Sequence, residues 1–225
     1  DTKEITMNKL LPLLLAAALA PQAAQANVNI TEWMYGGGSG EFVEFTNLGN
    51  SAVDFTGWSY DDDSRLVGVF DLSAFGIVGA GESVIITEID ADTFRLDWGL
   101  SASVKVLGGY TNNLGRADEI NLFDASGNLV DRLTYGDNAA AGGPRTQNAS
   151  GYAGSFAALG ANTATAWVLS SVGDVEGSYM SLSGAIGSPG VTSFAAPVPE
   201  PETYAMLLAG LGLVGAVARR RNKQA

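Results

Sequence analysis

The chain has 225 residues, of which 24 are acidic and 12 basic, with no His and no Cys, a length that allows one or two domains. Between Asn27 and Pro197 the imbalance grows to 20 acidic against 6 basic side chains, a net −14; a surface of that sign repels phosphates, which excludes nucleic acid as a partner. The missing residue types exclude Ser-His-Asp and Cys-His catalysis and any His- or Cys-ligated metal site.

The first predicted element is an export signal. Met7-Asn8-Lys9 forms a short basic segment, residues 10–20 an apolar core, and Ala24-Gln25-Ala26 a small-x-small cleavage site, the three parts of a secretory signal peptide over residues 7–26. The apolar run is too short to stay in a bilayer as an anchor, so signal peptidase is expected to cut after Ala26 and leave Asn27 as the mature N-terminus. Residues 1–6 carry no such pattern and read as an upstream extension of the reading frame, with translation starting at Met7. With no cysteine for disulfides, the exported body must rely on its hydrophobic core, or partly on bound cations.

The body, residues 27–137, reads as all-β. Val28-Asn29-Ile30-Thr31 alternates apolar and polar, and Glu41-Phe42-Val43-Glu44-Phe45-Thr46 follows a flexible Gly36-Gly37-Gly38-Ser39-Gly40 turn. Ser83-Val84-Ile85-Ile86-Thr87 is a continuous apolar run, as expected of a strand buried between two sheets. Residues 90–98 alone look helical, with Phe94 and Trp98 one turn apart as the apolar contacts. Residues 119–123 and 129–135 flank Asp124-Ala125-Ser126-Gly127-Asn128, a hairpin with Ser-Gly-Asn at its tip. Many short strands between regular turn signals predict a β-sandwich.

Several of these strands carry a more specific pattern: Ile30-Thr31-Glu32, then Glu41-Phe42-Val43-Glu44-Phe45-x-Asn47, Val53-Asp54-Phe55-x-Gly57-Trp58, Gly79-Ala80-Gly81-Glu82 ahead of Val84-Ile85-Ile86, and the closing Tyr135-Gly136-Asp137. Together they resemble a lamin tail domain over residues 28–137, which implies an all-β, immunoglobulin-like sandwich. The motif residues Glu44, Asn47, Asp54, Gly57 and Trp58 are read as structural: Trp58 filling the core, Gly57 allowing a tight turn, and Asn47 bonding local backbone. Bacterial lamin tail domains often sit in larger exported proteins with nuclease or phosphatase domains, and no residues here resemble such a partner.

The densest acidic cluster, Asp61-Asp62-Asp63-Ser64, reads either as a solvated loop or as a weak Ca²⁺ site. Its consecutive aspartates lack the alternating spacing of an EF-hand loop. No other cofactor is suggested.

From residue 138 the composition turns Ala- and Gly-rich. Residues 166–170 and 178–182 could form two short strands, or extended segments lying on the sandwich, so residues 138–187 are expected to pack on the same domain as an extension. Residues 188–197 read as a linker.

The tail, residues 198–225, closes the chain. Val198-Pro199-Glu200-Pro201 stops any upstream helix. Residues 203–218 are apolar or small and reach about 24 Å as a helix, marginal against a hydrocarbon core of about 30 Å. Arg219, Arg220 and Arg221 follow and favour the cytoplasmic side, which places the body outside. A Pro-Glu-Pro motif, a marginal helix and an Arg-rich end, in that order, resemble the PEP-CTERM sorting signal of Gram-negative bacteria. That resemblance implies an exosortase-like membrane protease as partner, a transient membrane anchor, and delivery to the cell surface or extracellular matrix.

The expected protein is therefore exported and non-catalytic, structural or binding within exopolysaccharide or biofilm, with matrix polysaccharide or an envelope protein as its partner. The alternative is a cation-dependent carboxylate enzyme acting on matrix polymer, since carboxylates are the chemistry left by the composition.

Overall fold

The structure, a computed structural model, describes residues 27–137 and 142–195, with Gly210 beyond them. The upstream extension, the signal peptide with Ala24 and Ala26, and the tail motif from Val198 to Pro201 with Arg219 to Arg221 lie outside the described residues. Among the described residues no helix is long and apolar enough to cross a membrane.

In chain order the strands are β1 (Val28–Met34), β2 (Phe42–Asn47), β3 (Val53–Asp54), β4 (Ser59–Asp61), β5 (Phe70–Asp71), β6 (Ile77–Val78) and β7 (Ser83–Thr87). Helix α1 (Ala91–Trp98) precedes β8 (Lys105–Gly108), β9 (Ala117–Phe123), β10 (Leu129–Gly136), β11 (Gly151–Ala153), β12 (Trp167–Leu169), β13 (Tyr179–Met180) and β14 (Ile186–Gly187). One sheet has six strands in the order β12-β11-β1-β2-β7-β8, and the facing sheet has four, β10-β9-β4-β5. Pairing is antiparallel except between β7 and β8, where α1 carries the chain back to start a parallel neighbour.

Two apolar clusters hold the layers together. Between the sheets, Ile30, Trp33, Val43, Phe45, Val84 and Ile86 meet Tyr60, Ile120, Leu122, Leu133 and Tyr135. The outer face of the six-stranded sheet carries a second cluster of Met34, Phe42 and Ile85 under Phe94 and Trp98 of α1, with Ala185. The predicted helix forms where expected: Asp90 caps its N-terminus by accepting from the amides of Asp92 and Thr93, and Gly99 ends it in the left-handed region. Strand β7 is buried on both faces, but only one faces the other sheet; the other lies under α1 and the second cluster.

Strand β1 breaks its own alternation. Its register with β2 pairs Ile30 with Phe45 and then Glu32 with Glu44, so Thr31 is an extra residue. This bulge returns Trp33 to the inner face and sends Thr31 and Glu32 together to the outer one.

The motif residues divide by role. Asn47 donates to the carbonyls of Ser51, Val78 and Gly79 at 2.7–3.1 Å and accepts from the amide of Gly49, tying two turns together. Gly57 sits at φ +79°, as a tight turn requires. Trp58 departs from expectation: it is half-buried and stacks on Phe55 at 4.5 Å, and Phe55 is the residue that fills the core. The reason is the pleat: the turn at Gly57 leaves Trp58 at the rim, ahead of the inward Tyr60 of β4.

In the Ala- and Gly-rich region the two short strands weighed for residues 166–170 and 178–182 form as β12 and β13. β11 pairs with β1 and β12 with β11, so both extend the larger sheet. After them the chain crosses the outer face of that sheet, where β13 and β14 form a small ribbon and residues 188–195 follow, docked where a linker is expected.

Candidate functional site

The acidic residues fall into three arrangements with different chemistry. Most exposed aspartates build turns. Hydrogen bonds from Thr56 to Asp54, from Ser73 to Asp71 and from Asn128 to Asp124 hold these carboxyls below their usual range. Each is a short side chain accepting from the backbone amide two residues on, the local bond that makes Asp a turn former.

The second arrangement surrounds Asp61, Asp62 and Asp63. Asp61 is fully buried; it accepts from the Ser64 hydroxyl and the Leu66 amide, each at 2.6 Å, and from Asn112 at 3.1 Å. Its oxygens thus fold the loop rather than face solvent, while Asp62 accepts from the Ser64 amide at 3.4 Å. Asp63 lines a cleft of about 290 Å³ with Arg65, Ala117, Asp118, Glu119, Thr134 and Tyr135. Arg65 grips Glu119 with two bonds of 2.7 and 2.5 Å, and Thr134 adds a third at 2.9 Å. These donors, Arg65 foremost, hold the Glu119 carboxyl down at about 2. Its neighbour Asp118 moves the other way because burial disfavours its charge. Among the described residues no three carboxylates converge to hold a metal ion.

The third arrangement is interior. Glu32 of β1 and Glu44 of β2 stand opposite each other across the strand pair, and both are fully buried. Glu32 accepts from the Ser150 hydroxyl, from the Ser188 amide at 2.8 Å and from the Ser188 hydroxyl at 3.2 Å. Glu44 accepts from Thr31 at 2.6 Å and Thr46 at 3.3 Å, and from the Gly190 amide at 2.6 Å. Ser83 bonds Thr46, and Ser170 bonds Ser150, completing a cage of hydroxyls around the two carboxyls. Burial pushes both carboxyls up, and the neighbouring charge of Glu44 pushes Glu32 further. Sequence reading placed Glu44 in a structural motif but gave no sign of its pairing with Glu32. The bulge that brings them together leaves no mark on the hydrophobic pattern.

The cations complete the electrostatic picture. Arg65 pairs with Glu119, Arg95 with Asp92, Lys105 with Glu82, Arg116 and Arg145 with Asp137, and Arg132 with Glu119. Every cationic side chain among the described residues is therefore matched within the protein, and the excess carboxylates set the sign of its surface.

The Lamin Tail Domain family matches residues 21–137 of the chain, and the PEP-CTERM protein-sorting motif matches residues 197–221. The chain belongs to the lamin tail domain family, with an immunoglobulin-like sandwich. Its sorting motif implies export and membrane-associated processing by an exosortase. No curated protein matches the chain. A lamin tail sandwich followed by a sorting motif fits a non-catalytic protein.

Proposed function

We propose that this protein is a non-catalytic component of the cell envelope or extracellular matrix, delivered by exosortase processing, whose sandwich binds matrix polymer through its anionic surface. The observation that carries this reading is the internal matching of all six described cations beside 20 acidic residues in 27–197. Such a surface attracts partners bearing ammonium groups, whether an amino-sugar polysaccharide or a basic envelope protein, and attracts them less as salt screens it. A catalytic reading has less support. The raised and lowered carboxyls of the cleft, Asp118 and Glu119, both accept backbone or side-chain bonds that build the fold, and the Glu32–Glu44 pair is closed to substrate.

The test is a pull-down of purified extracellular polymer by the exported protein at low and raised salt. Retention at low salt that is lost by about 0.5 M salt, where the screening length is only a few ångströms, is expected. Absence of retention at low salt defeats the binding role. Retention by the protein fraction alone would identify an envelope protein as the partner, and turnover of the polymer would revive the enzyme.

A further inference from the structure

The loop between β4 and β5, residues 62–69, folds back over the outer face of the four-stranded sheet. Ser59 and Asp61 flank the inward Tyr60, and Glu119 adjoins the inward Ile120, so all three project from that outer face. Each of them holds the loop. Asp61 accepts from the Ser64 hydroxyl and the Leu66 amide, Ser59 accepts from the Gly68 amide at 2.9 Å, and Glu119 accepts twice from Arg65. Arg65 takes φ +57°, a left-handed backbone that a residue with a Cβ keeps only where its surroundings fix it. The loop is therefore built rigid.

Its polar groups face the sheet and its apolar ones face solvent. Leu66, Val67 and Val69 are 59, 54 and 41% exposed, and Leu129 and Val130 at the start of β10 are exposed as well. The two groups adjoin: a Cβ on Gly127, in the turn before β10, would stand 3.5 Å from both Val67 methyls. Phe123, opposite both Ser59 and Leu129 in the register, is buried. Scattered aliphatics on a surface need no explanation, but five brought together from two fixed segments mark an interaction surface.

The charge around this surface selects its occupant. Asp62 and Asp63 lie at one end of the loop, Asp71 follows its other end, and Asp124 stands in the turn below Gly127. Arg65 is the cation within this ring, and Glu119 already holds it. A complementary partner therefore carries aliphatic side chains between lysines or arginines. A second copy brings the same acidic ring and a net −14 over residues 27–197 against it, and an anionic lipid surface is repelled in the same way. A polysaccharide is recognised through hydrogen-bonding groups and flat aromatic rings, and the five exposed side chains offer neither.

We propose that the 62–69 loop and the start of β10 form the docking site for a basic envelope protein, which seats aliphatic side chains on Leu66, Val67, Val69 and Leu129 and sets lysines or arginines against Asp62, Asp63, Asp71 and Asp124. This rests on the anionic binding role proposed above and gives it a place and a class of partner. The acidic ring steers the partner and makes the encounter salt-dependent, while the aliphatic centre supplies the contact that excludes water. Because the loop is already fixed, little ordering cost is left to binding.

The test places a photo-crosslinking benzoylphenylalanine at Val67 of the exported protein, and in a parallel strain at Val175, an equally solvent-facing valine in the turn before β13. After illumination of intact cells, position 67 is expected to give an adduct whose cross-linked peptide carries Lys or Arg beside aliphatic residues. The adduct should be lost when cells are illuminated in about 0.5 M salt. Leu66→Ser with Val69→Ser in the same chain should lower its yield at least tenfold at an unchanged urea midpoint. If that variant does not fold, Asp62→Asn with Asp63→Asn removes two charges of the ring and should lower the yield at least threefold. No adduct at 67, the same adduct from 175, or a folded variant that cross-links like the wild type overturns the proposal. So does an adduct to a second copy, to lipid, to polysaccharide or to a peptide without basic residues. The polymer pull-down separates the two readings: wild type not retained at low salt ends the binding role itself. Wild type and the Leu66→Ser, Val69→Ser variant retained alike ends this site alone.

Discussion

Glu32 and Glu44 face each other from adjacent strands, each fully buried and neither paired with a cation among the described residues. A carboxyl whose folded pKa lies above its unfolded value binds more protons in the native state, so its contribution is full below the unfolded value and is lost as pH rises through the folded one. For this pair the window runs from the ordinary 4.5 to about 7 for Glu44 and about 8 for Glu32. Glu41, raised to about 7 mainly by burial, acts in the same direction. Glu119 acts oppositely: held down at about 2, it adds stability above 4.5 that is lost as pH falls toward 2. Urea denaturation across pH 3 to 9 should therefore peak near pH 4.5–5 and decline by a few kcal/mol toward pH 8. A midpoint that rises steadily from pH 5 to pH 8 would show that the acids are not paired inside.

Gly187→Ala tests the packing over that pair. A Cβ at this position would stand 2.8 Å from Glu32 Oε1 and Ser150 Oγ and 3.1 Å from the Trp98 ring. None of these groups can step aside, because each is buried and the first two bond each other. The expected cost is about 1–3 kcal/mol, which for a chain of this size lowers the melting temperature by several degrees. Gly173→Ala, where a Cβ meets nothing within 4 Å but φ is +79°, controls for backbone strain.

Asp61 is predicted to matter as a fold residue. Removing its carboxylate leaves the Ser64 hydroxyl, the Leu66 amide and the Asn112 amide group without their acceptor. Asp61→Ala should cost roughly 2–4 kcal/mol in a denaturant titration, and Asp63→Ala under about 1. Scans in EDTA and in millimolar calcium should give the same melting temperature. A calcium-dependent rise that Asp62→Ala or Asp63→Ala removes would make the loop a cation site after all.

The aromatic pair Phe55 and Trp58 makes a second contrast. Phe55 is fully buried and Trp58 only half, although the tryptophan is the larger residue and the more prominent in the motif. Phe55→Ala should cost about 3–5 kcal/mol and Trp58→Ala distinctly less, read as unfolding midpoints. The reverse order would return Trp58 to the core.

The fold was legible where local chemistry and hydrophobic period agreed. Asp90 and Gly99 bracket a helix that buries Phe94 and Trp98, and Asp124 closes the β9–β10 turn with bonds to Ser126 and Asn128. It was not legible where one residue changes the phase. The bulge at Thr31 puts Glu32 and Glu44 side by side, and strict alternation would have turned Glu32 toward the other sheet. Nor could small residues announce their partners: Gly151 pairs with Trp33 of β1 and Ala153 with Trp167 of β12 through the backbone, a bond that leaves no trace in side-chain type. Residues 188–195 looked like a linker because Ser, Pro and Gly favour loops. Their ordering comes from acceptors more than 140 residues away in sequence, Glu32 and Glu44.

Processing at the tail gives the last prediction. The sorting motif spans residues 197–221, beyond the last bonds described for the sandwich at residues 188–195, so a cut at the motif removes the apolar tail and leaves all of those bonds in place. The released body should therefore have the stability of the full chain, with the same urea midpoint. Intact mass of protein from the culture surface, with epitopes at both ends of the precursor, is expected to show loss of the C-terminal epitope and an end near Pro199. The same mass should be absent from cells lacking exosortase. Full-length protein in the inner membrane as the sole species would instead make the tail a permanent anchor. A processed species with a lowered midpoint would mean that the cut falls inside residues 188–195 and takes the bonds to Glu44 and Glu176 with it.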